Sequence, residues 1–158
     1  MKKSVISIIS VLIGLTTGAG AVKKFSNKDI EKEKNMSEKH FALFLLMNQW
    51  VKIKQEGKSL AHYLENQGYK KVAVYGMSYA GETLVDELKD SCIQVTYAID
   101  KNAGAVYENV NIVSPEEGLE NVDAIIVTAI TFYEEVKENL TKKISVPILS
   151  LEDLLYEI

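Results

Sequence analysis

Apolar residues follow three different rhythms along this chain, and each predicts a different kind of element. Between Lys2-Lys3 and Lys23-Lys24, the run from Ser4 to Val22 carries no charge and is dominated by Val, Ile, Leu, Ala and Gly. Its length approaches the span of a hydrocarbon core, which predicts a membrane helix over residues 1–25. From Asn27 to Lys54 neither proline nor glycine occurs, so helix is expected, interrupted near Asn35 with Ser37 as a new N-cap. Beyond Ser37, the residues Phe41, Phe44, Leu45, Met47, Trp50, Val51 and Ile53 recur at helical spacing and require something to pack on. Gly57 ends that helix, Ser59 caps a second one from Leu60 to Gln67, and Gly68 takes the left-handed C-terminal position. Residues 26–69 therefore read as a two-helix bridge.

From about Lys70 the rhythm changes to short β-prone runs separated by helical ones. Lys71 to Tyr75 is a strand that stops at Gly76-Met77-Ser78-Tyr79-Ala80-Gly81, and Glu82 to Lys89 is a helix whose apolar side carries Ala80, Leu84 and Leu88. Ile93 to Ile99 is a second strand ending in Asp100, and Val110 to Val113 a third. Ser114-Pro115 caps a brief helix to Leu119, and Ala124 to Thr128 is an almost wholly apolar strand suited to a buried position. A helix from Phe132 to Leu140, a strand from Val146 to Leu149 with Pro147 marking an edge, and a Ser150-capped helix from Leu151 to Tyr156 complete the series. This alternation predicts an α/β domain over residues 70–158: a doubly wound parallel sheet of about five strands in the order 3-2-1-4-5. The ligand crevice is expected between strands 1 and 4, at their carboxyl ends.

Composition and charge narrow the function. With 47% hydrophobic and 25% charged residues the chain is an ordinary folded protein. A net charge of −4 without a basic, aromatic-interleaved stripe argues against nucleic acid as a partner. The single cysteine, Cys92, has no intramolecular disulfide partner and reads as a small buried side chain, while His40 and His62 read as surface residues without zinc spacing. No metal is implied. Lysines 23, 24, 28, 32, 34 and 39 outnumber Lys2 and Lys3, so the positive-inside rule puts the C-terminal domain in the cytoplasm. Ala19-Gly20-Ala21 keeps a cleavable signal peptide open as the rival reading of the first segment. The Gly14 and Gly18 spacing leaves room for a homodimer of anchors.

The chemistry concentrates at two loops. Gly76 permits a tight turn, Gly81 allows close packing of helix on strand, and the amides of Met77, Ser78, Tyr79 and Ala80 open the helix, where an anion is favoured. The carboxylate of Asp100, with Lys101 beside it, stands where ribose hydroxyls are held in dinucleotide-binding folds. Across the crevice, Thr128 and Thr131 offer hydroxyls to a sugar or phosphate. Tyr133 and Lys137 have the Tyr-x-x-x-Lys spacing of a proton-transfer pair but follow the fourth strand directly, which makes coincidence the better reading. No catalytic residue is assigned.

On these residues the stretch from Lys70 to Ile158 resembles the NAD(P)-binding Rossmann family. More narrowly, it resembles small modules of bacterial surface-polysaccharide proteins related to nucleotide-sugar epimerases and to acyl- or methyltransferase-associated domains. By position, Gly76 and Gly81 match the outer glycines and Asp100 the ribose acid, whereas Ser78 replaces the central glycine. The resemblance implies NAD or NADP as ligand, with a nucleotide sugar as the alternative, and an accessory or sensory role in envelope-related metabolism. Two other functions stay open: a small dehydrogenase or epimerase completed by dimerisation, and a scaffold that binds no nucleotide.

Overall fold

The computed structural model describes residues 2–117, 119 and 121–158, with side chains from Asp29 onward. Two compact units divide the chain, residues 1–41 and 42–158. Helix α1, Lys2–Gln55, contributes to both. The side chains of the uncharged run from Ser4 to Val22, on which the expected membrane segment and the Gly14–Gly18 spacing depend, lie outside the described ones. Among the described residues no helix is long and apolar enough to cross a membrane. The expected interruption near Asn35 does not occur: α1 continues through Ser37, and a Lys34–Glu38 ion pair at 3.9 Å spans the position. An asparagine and a serine lower helix propensity without removing a backbone hydrogen bond, so without proline or glycine the ladder closes across them.

The second unit is mixed α/β with a six-stranded, mostly parallel sheet. Its strands are β1 (Lys71–Tyr75), β2 (Gln94–Ile99), β3 (Val106–Tyr107), β4 (Val110–Val113), β5 (Ala124–Val127) and β6 (Ile148–Ser150), in the spatial order β3-β4-β2-β1-β5-β6. The helices are α2 (Leu60–Asn66), α3 (Tyr79–Leu88), α4 (Tyr133–Thr141) and α5 (Leu151–Glu157), with a 3-10 turn at Ile130–Phe132. The five parallel strands keep the expected order, and β6 lies at an edge where Pro147 is tolerated. The count of about five is corrected by β3, which pairs antiparallel with β4 through Glu108 and Asn109, both left-handed at φ 47° and 70°. A hairpin turn of that hand usually declares itself as Asn-Gly or Asp-Gly, and Glu-Asn hides it. The brief helix expected from Ser114 to Leu119 is also corrected. Glu117 N–H donates to the Ser114 carbonyl at 3.1 Å and Ser114 N–H to Glu117 Oε2 at 3.2 Å, so a single reciprocal turn satisfies the backbone without a helix.

Alternate residues of β1 build two cores, one on each face of the sheet. Val72 and Val74 pack with Leu46, Trp50, Leu60, Leu64 and Leu84, whereas Ala73 and Tyr75 pack with Val136 and Leu140 of α4. Each fully buried leucine in the first group stabilises the fold by about 1.5–3 kcal/mol. The β1–β2 ladder shifts register between Val72 and Ala73, pairing Val72 with Val95 but Ala73 with Tyr97. Thr96 is thus an extra residue, and the bulge keeps partners on matching faces: Val95 faces the Val72 core and Tyr97 the Ala73 core. The Thr96 hydroxyl is buried and, among the described residues, has no hydrogen-bond partner.

The apolar face expected on the first bridge helix is rotated. Leu46, Trp50 and Ile53 are buried and Leu43 and Met47 partly so, while Phe41, Phe44, Leu45 and Val51 remain exposed, Phe44 at 64%. Apolar residues cover more than half the helix circumference there, so two overlapping stripes compete and only packing selects one. A buried carboxylate fixes the choice. Glu87 of α3, its side chain 6% exposed, accepts from Trp50 Nε1–H and from Leu60 N–H at 3.2 Å, and pairs with Lys54 at 2.9 Å. Residues 42–69 of the expected bridge therefore belong to the same unit as the sheet. Cys92, expected as a small buried side chain, is a further correction: it is exposed, in the turn that precedes β2.

Candidate functional site

The glycine turn leaves the carboxyl end of β1, where Gly76 adopts φ +98° and donates its N–H to the Ile99 carbonyl at 2.9 Å. A side chain here would be strained, and its Cβ would stand 2.9 Å from Thr128 Oγ1. At Gly81 the demand is spatial: a Cβ would meet the Gly76 carbonyl oxygen at 2.0 Å. Helix α3 starts at Tyr79, with Ala80 buried in the core, Ser78 exposed and Tyr79 75% exposed. The Ser78 hydroxyl makes no capping bond, so the opening amides of α3 receive no acceptor from that side chain. Glu82, in the first turn, already answers part of the helix dipole with negative charge.

Asp100 reaches back to this turn. Its Oδ2 accepts the Met77 N–H at 2.9 Å and its Oδ1 the Asn102 N–H at 3.0 Å. Two backbone donors hold the carboxylate in one orientation, and each oxygen keeps a further lone pair for a ligand hydroxyl. Thr128, 4% exposed, is used differently. Its hydroxyl donates to the Gly76 carbonyl at 2.6 Å and lies 3.1 Å from that of Tyr75, bracing β5 to the turn and committing its only proton.

Between the ends of β1, β2 and β5 lies a crevice of about 280 Å3, lined in part by Gly76, Asp100 and Lys101. This is where the strand order reverses direction about β1. Ala129 and Phe132 also line it, from the loop after β5 that the sequence places across the crevice, whereas Tyr75, Glu135 and Val136 escaped the sequence reading. Tyr75 was detectable as the residue before the glycine turn, but Glu135 and Val136 reach the crevice only through the way α4 folds back. Burial, followed by the charges of Asp100, Glu135 and Glu116, raises the Tyr75 hydroxyl above its ordinary pKa and keeps it protonated. Thr131 is not brought into this crevice. It is exposed and borders a separate, open depression with Glu134, Glu152 and Asp153.

Tyr133 and Lys137 do meet, with Lys137 Nζ 5.2 Å from the ring centre, but the Tyr133 hydroxyl donates to the Ile148 carbonyl at 2.9 Å. That phenol fastens α4 to the edge strand. Among the described residues no group of three His, Cys, Asp or Glu side chains is arranged to hold a metal ion.

These features define a mixed α/β protein in which a glycine turn, a tethered carboxylate and a small crevice meet at one end of a largely parallel sheet. Residues 68–148, just over half of the 158, match the family model described as C2185-like, N-terminal, and the chain belongs to that family. It has no match among curated proteins or solved structures.

Proposed function

We propose that this chain is a Rossmann-like module that binds a nucleotide-containing ligand, NAD(P) or a nucleotide sugar, as an accessory or sensory component of envelope-related metabolism. The observation that carries this reading is the Asp100 carboxylate, held by the Met77 and Asn102 amides beside a crevice at the reversal of strand order. A carboxylate so oriented accepts two ribose hydroxyls without reorganising, while the start of α3, uncapped by Ser78, favours a phosphate next to it. The link to envelope metabolism rests on the family resemblance of the Lys70–Ile158 stretch. The uncharged run Ser4–Val22 and the lysines that follow it support a membrane anchor with the C-terminal unit in the cytoplasm.

Thermal denaturation of the full chain with NAD, NADP and UDP-sugars tests this. A ligand at about 100 times its dissociation constant adds about 2.7 kcal/mol, which raises the transition by several degrees. The rise is expected to vanish in Asp100→Ala and to shrink in Asp100→Asn. If no nucleotide moves the transition, the chain is better read as a scaffold that uses its helices for protein contacts.

A further inference from the structure

The crevice has a chemical character of its own. At about 280 Å3 it falls just below the roughly 300–1,000 Å3 usual for small-molecule sites, so it holds one ring and not a dinucleotide. Ala129, Phe132 and Val136 give it apolar walls, and Phe132 is 43% exposed at its edge. Its charged groups are Asp100 and Glu135 against Lys101, and the carboxylate of Glu116 also acts on the Tyr75 hydroxyl. Glu116 is itself paired with Lys143 at 3.5 Å, so it is the two lining carboxylates against Lys101 that leave net negative charge around a partly apolar hollow, and such a cleft concentrates the field of its own sign.

We propose that this crevice receives a neutral or positively charged ring bearing hydroxyl, amide or amine groups, and rejects a ring that carries its own carboxylate. This rests on the nucleotide reading above and specifies which part of the ligand enters. The aromatic and aliphatic walls take the face of the ring, and the carboxylates accept its hydrogens. A ring carboxylate in the crevice meets two carboxylates against one lysine, a net repulsive element that selects against it. Phosphate oxygens stay outside, at the start of α3 beyond the Met77 amide that Asp100 holds, so the ligand is negatively charged at one end only.

Chemical-shift mapping on the full, isotope-labelled chain in a neutral detergent separates the two ideas. Three probes share one ring and differ in charge: nicotinamide, 1-methylnicotinamide and nicotinate. Methyl glucoside and methyl glucuronate repeat the comparison for a sugar, and AMP probes the phosphate seat. The neutral and cationic rings are expected to shift the amides of Lys101, Ala129, Phe132 and Glu135, with the anionic ring about tenfold weaker. Glu135→Gln, a change on an exposed side chain, is expected to narrow that gap to about threefold or less. Equal binding of anionic and neutral rings overturns the proposal, as does the absence of any ring response while AMP still shifts Met77 to Gly81. Rings that bind in the expected charge order while AMP shifts nothing defeat the nucleotide reading and leave the charge preference standing. Silence from every probe overturns both.

Discussion

At Gly81 one hydrogen atom decides the geometry of the whole turn. Alanine there brings a methyl group to 2.0 Å from the Gly76 carbonyl, and the displaced atom is backbone, which has little freedom to yield. Gly81→Ala is therefore expected to cost about 3 kcal/mol or more in chemical denaturation, at the upper end of overpacking penalties. Thr128→Val removes the hydroxyl that braces β5 to the turn and leaves the Gly76 carbonyl without that donor, while the Tyr75 carbonyl keeps the N–H of residue 128; the loss is about 1–2 kcal/mol, which Thr128→Ser should largely restore. A pH dependence belongs to Asp123, whose carboxyl is held below its ordinary value by the N–H groups of Lys71 and Lys70, each at 2.8 Å from Oδ2. Because the folded value lies below the unfolded one, the stabilisation is complete at neutral pH and disappears as pH falls through the carboxylate range. Melting curves of wild type and Asp123→Asn should differ at pH 7, begin to approach each other only below about pH 4, and converge once the pH has fallen through the lowered folded value. Gly76, Gly81 and Asp100 were legible in the sequence because steric need and strand-tip position are local properties. The commitment of Thr128 was not, since its acceptors lie more than fifty residues earlier in the chain.

Among the elements, α1 and α2 depend on α3 through a single acid. Replacing Glu87 by alanine strands the Trp50 indole N–H and the Leu60 amide in a buried site, while Lys54, half exposed, regains water. The expected loss is about 2–3 kcal/mol, with Glu87→Gln milder because it keeps one acceptor. Trp50 is the chain's only tryptophan, so its fluorescence reports detachment of α1 directly: Glu87→Ala should unfold in two phases or shift its emission to the red before the sheet melts. Unchanged emission and one unshifted transition would show that apolar packing alone holds these helices. Helix start and stop signals served well here. The Ser59 and Ser150 hydroxyls accept the His62 and Asp153 amides as expected. What periodicity lacked was the means to choose between two apolar stripes on α1, because the deciding contact is a polar residue on another helix.

For the whole molecule, alternation of strand and helix was enough to place five strands in order, since right-handed crossovers leave few arrangements. It was not enough to foresee the antiparallel β3 or the crevice lining, which draws on residues from four separate segments. The bulge at Thr96 has a consequence at this scale. Downstream of it, the pairs Ala73–Tyr97, Val74–Ala98 and Tyr75–Ile99 fix the tip of β2, and so the Asp100 carboxylate, against the glycine turn. Upstream of it, the strand holds one residue more than the ladder consumes, a small reserve of slack. A descendant chain that dropped Thr96 would straighten the ladder, shed an unpaired hydroxyl and still present the same acid to the same loop. Loss of that one residue from β2 would thus leave the crevice its shape.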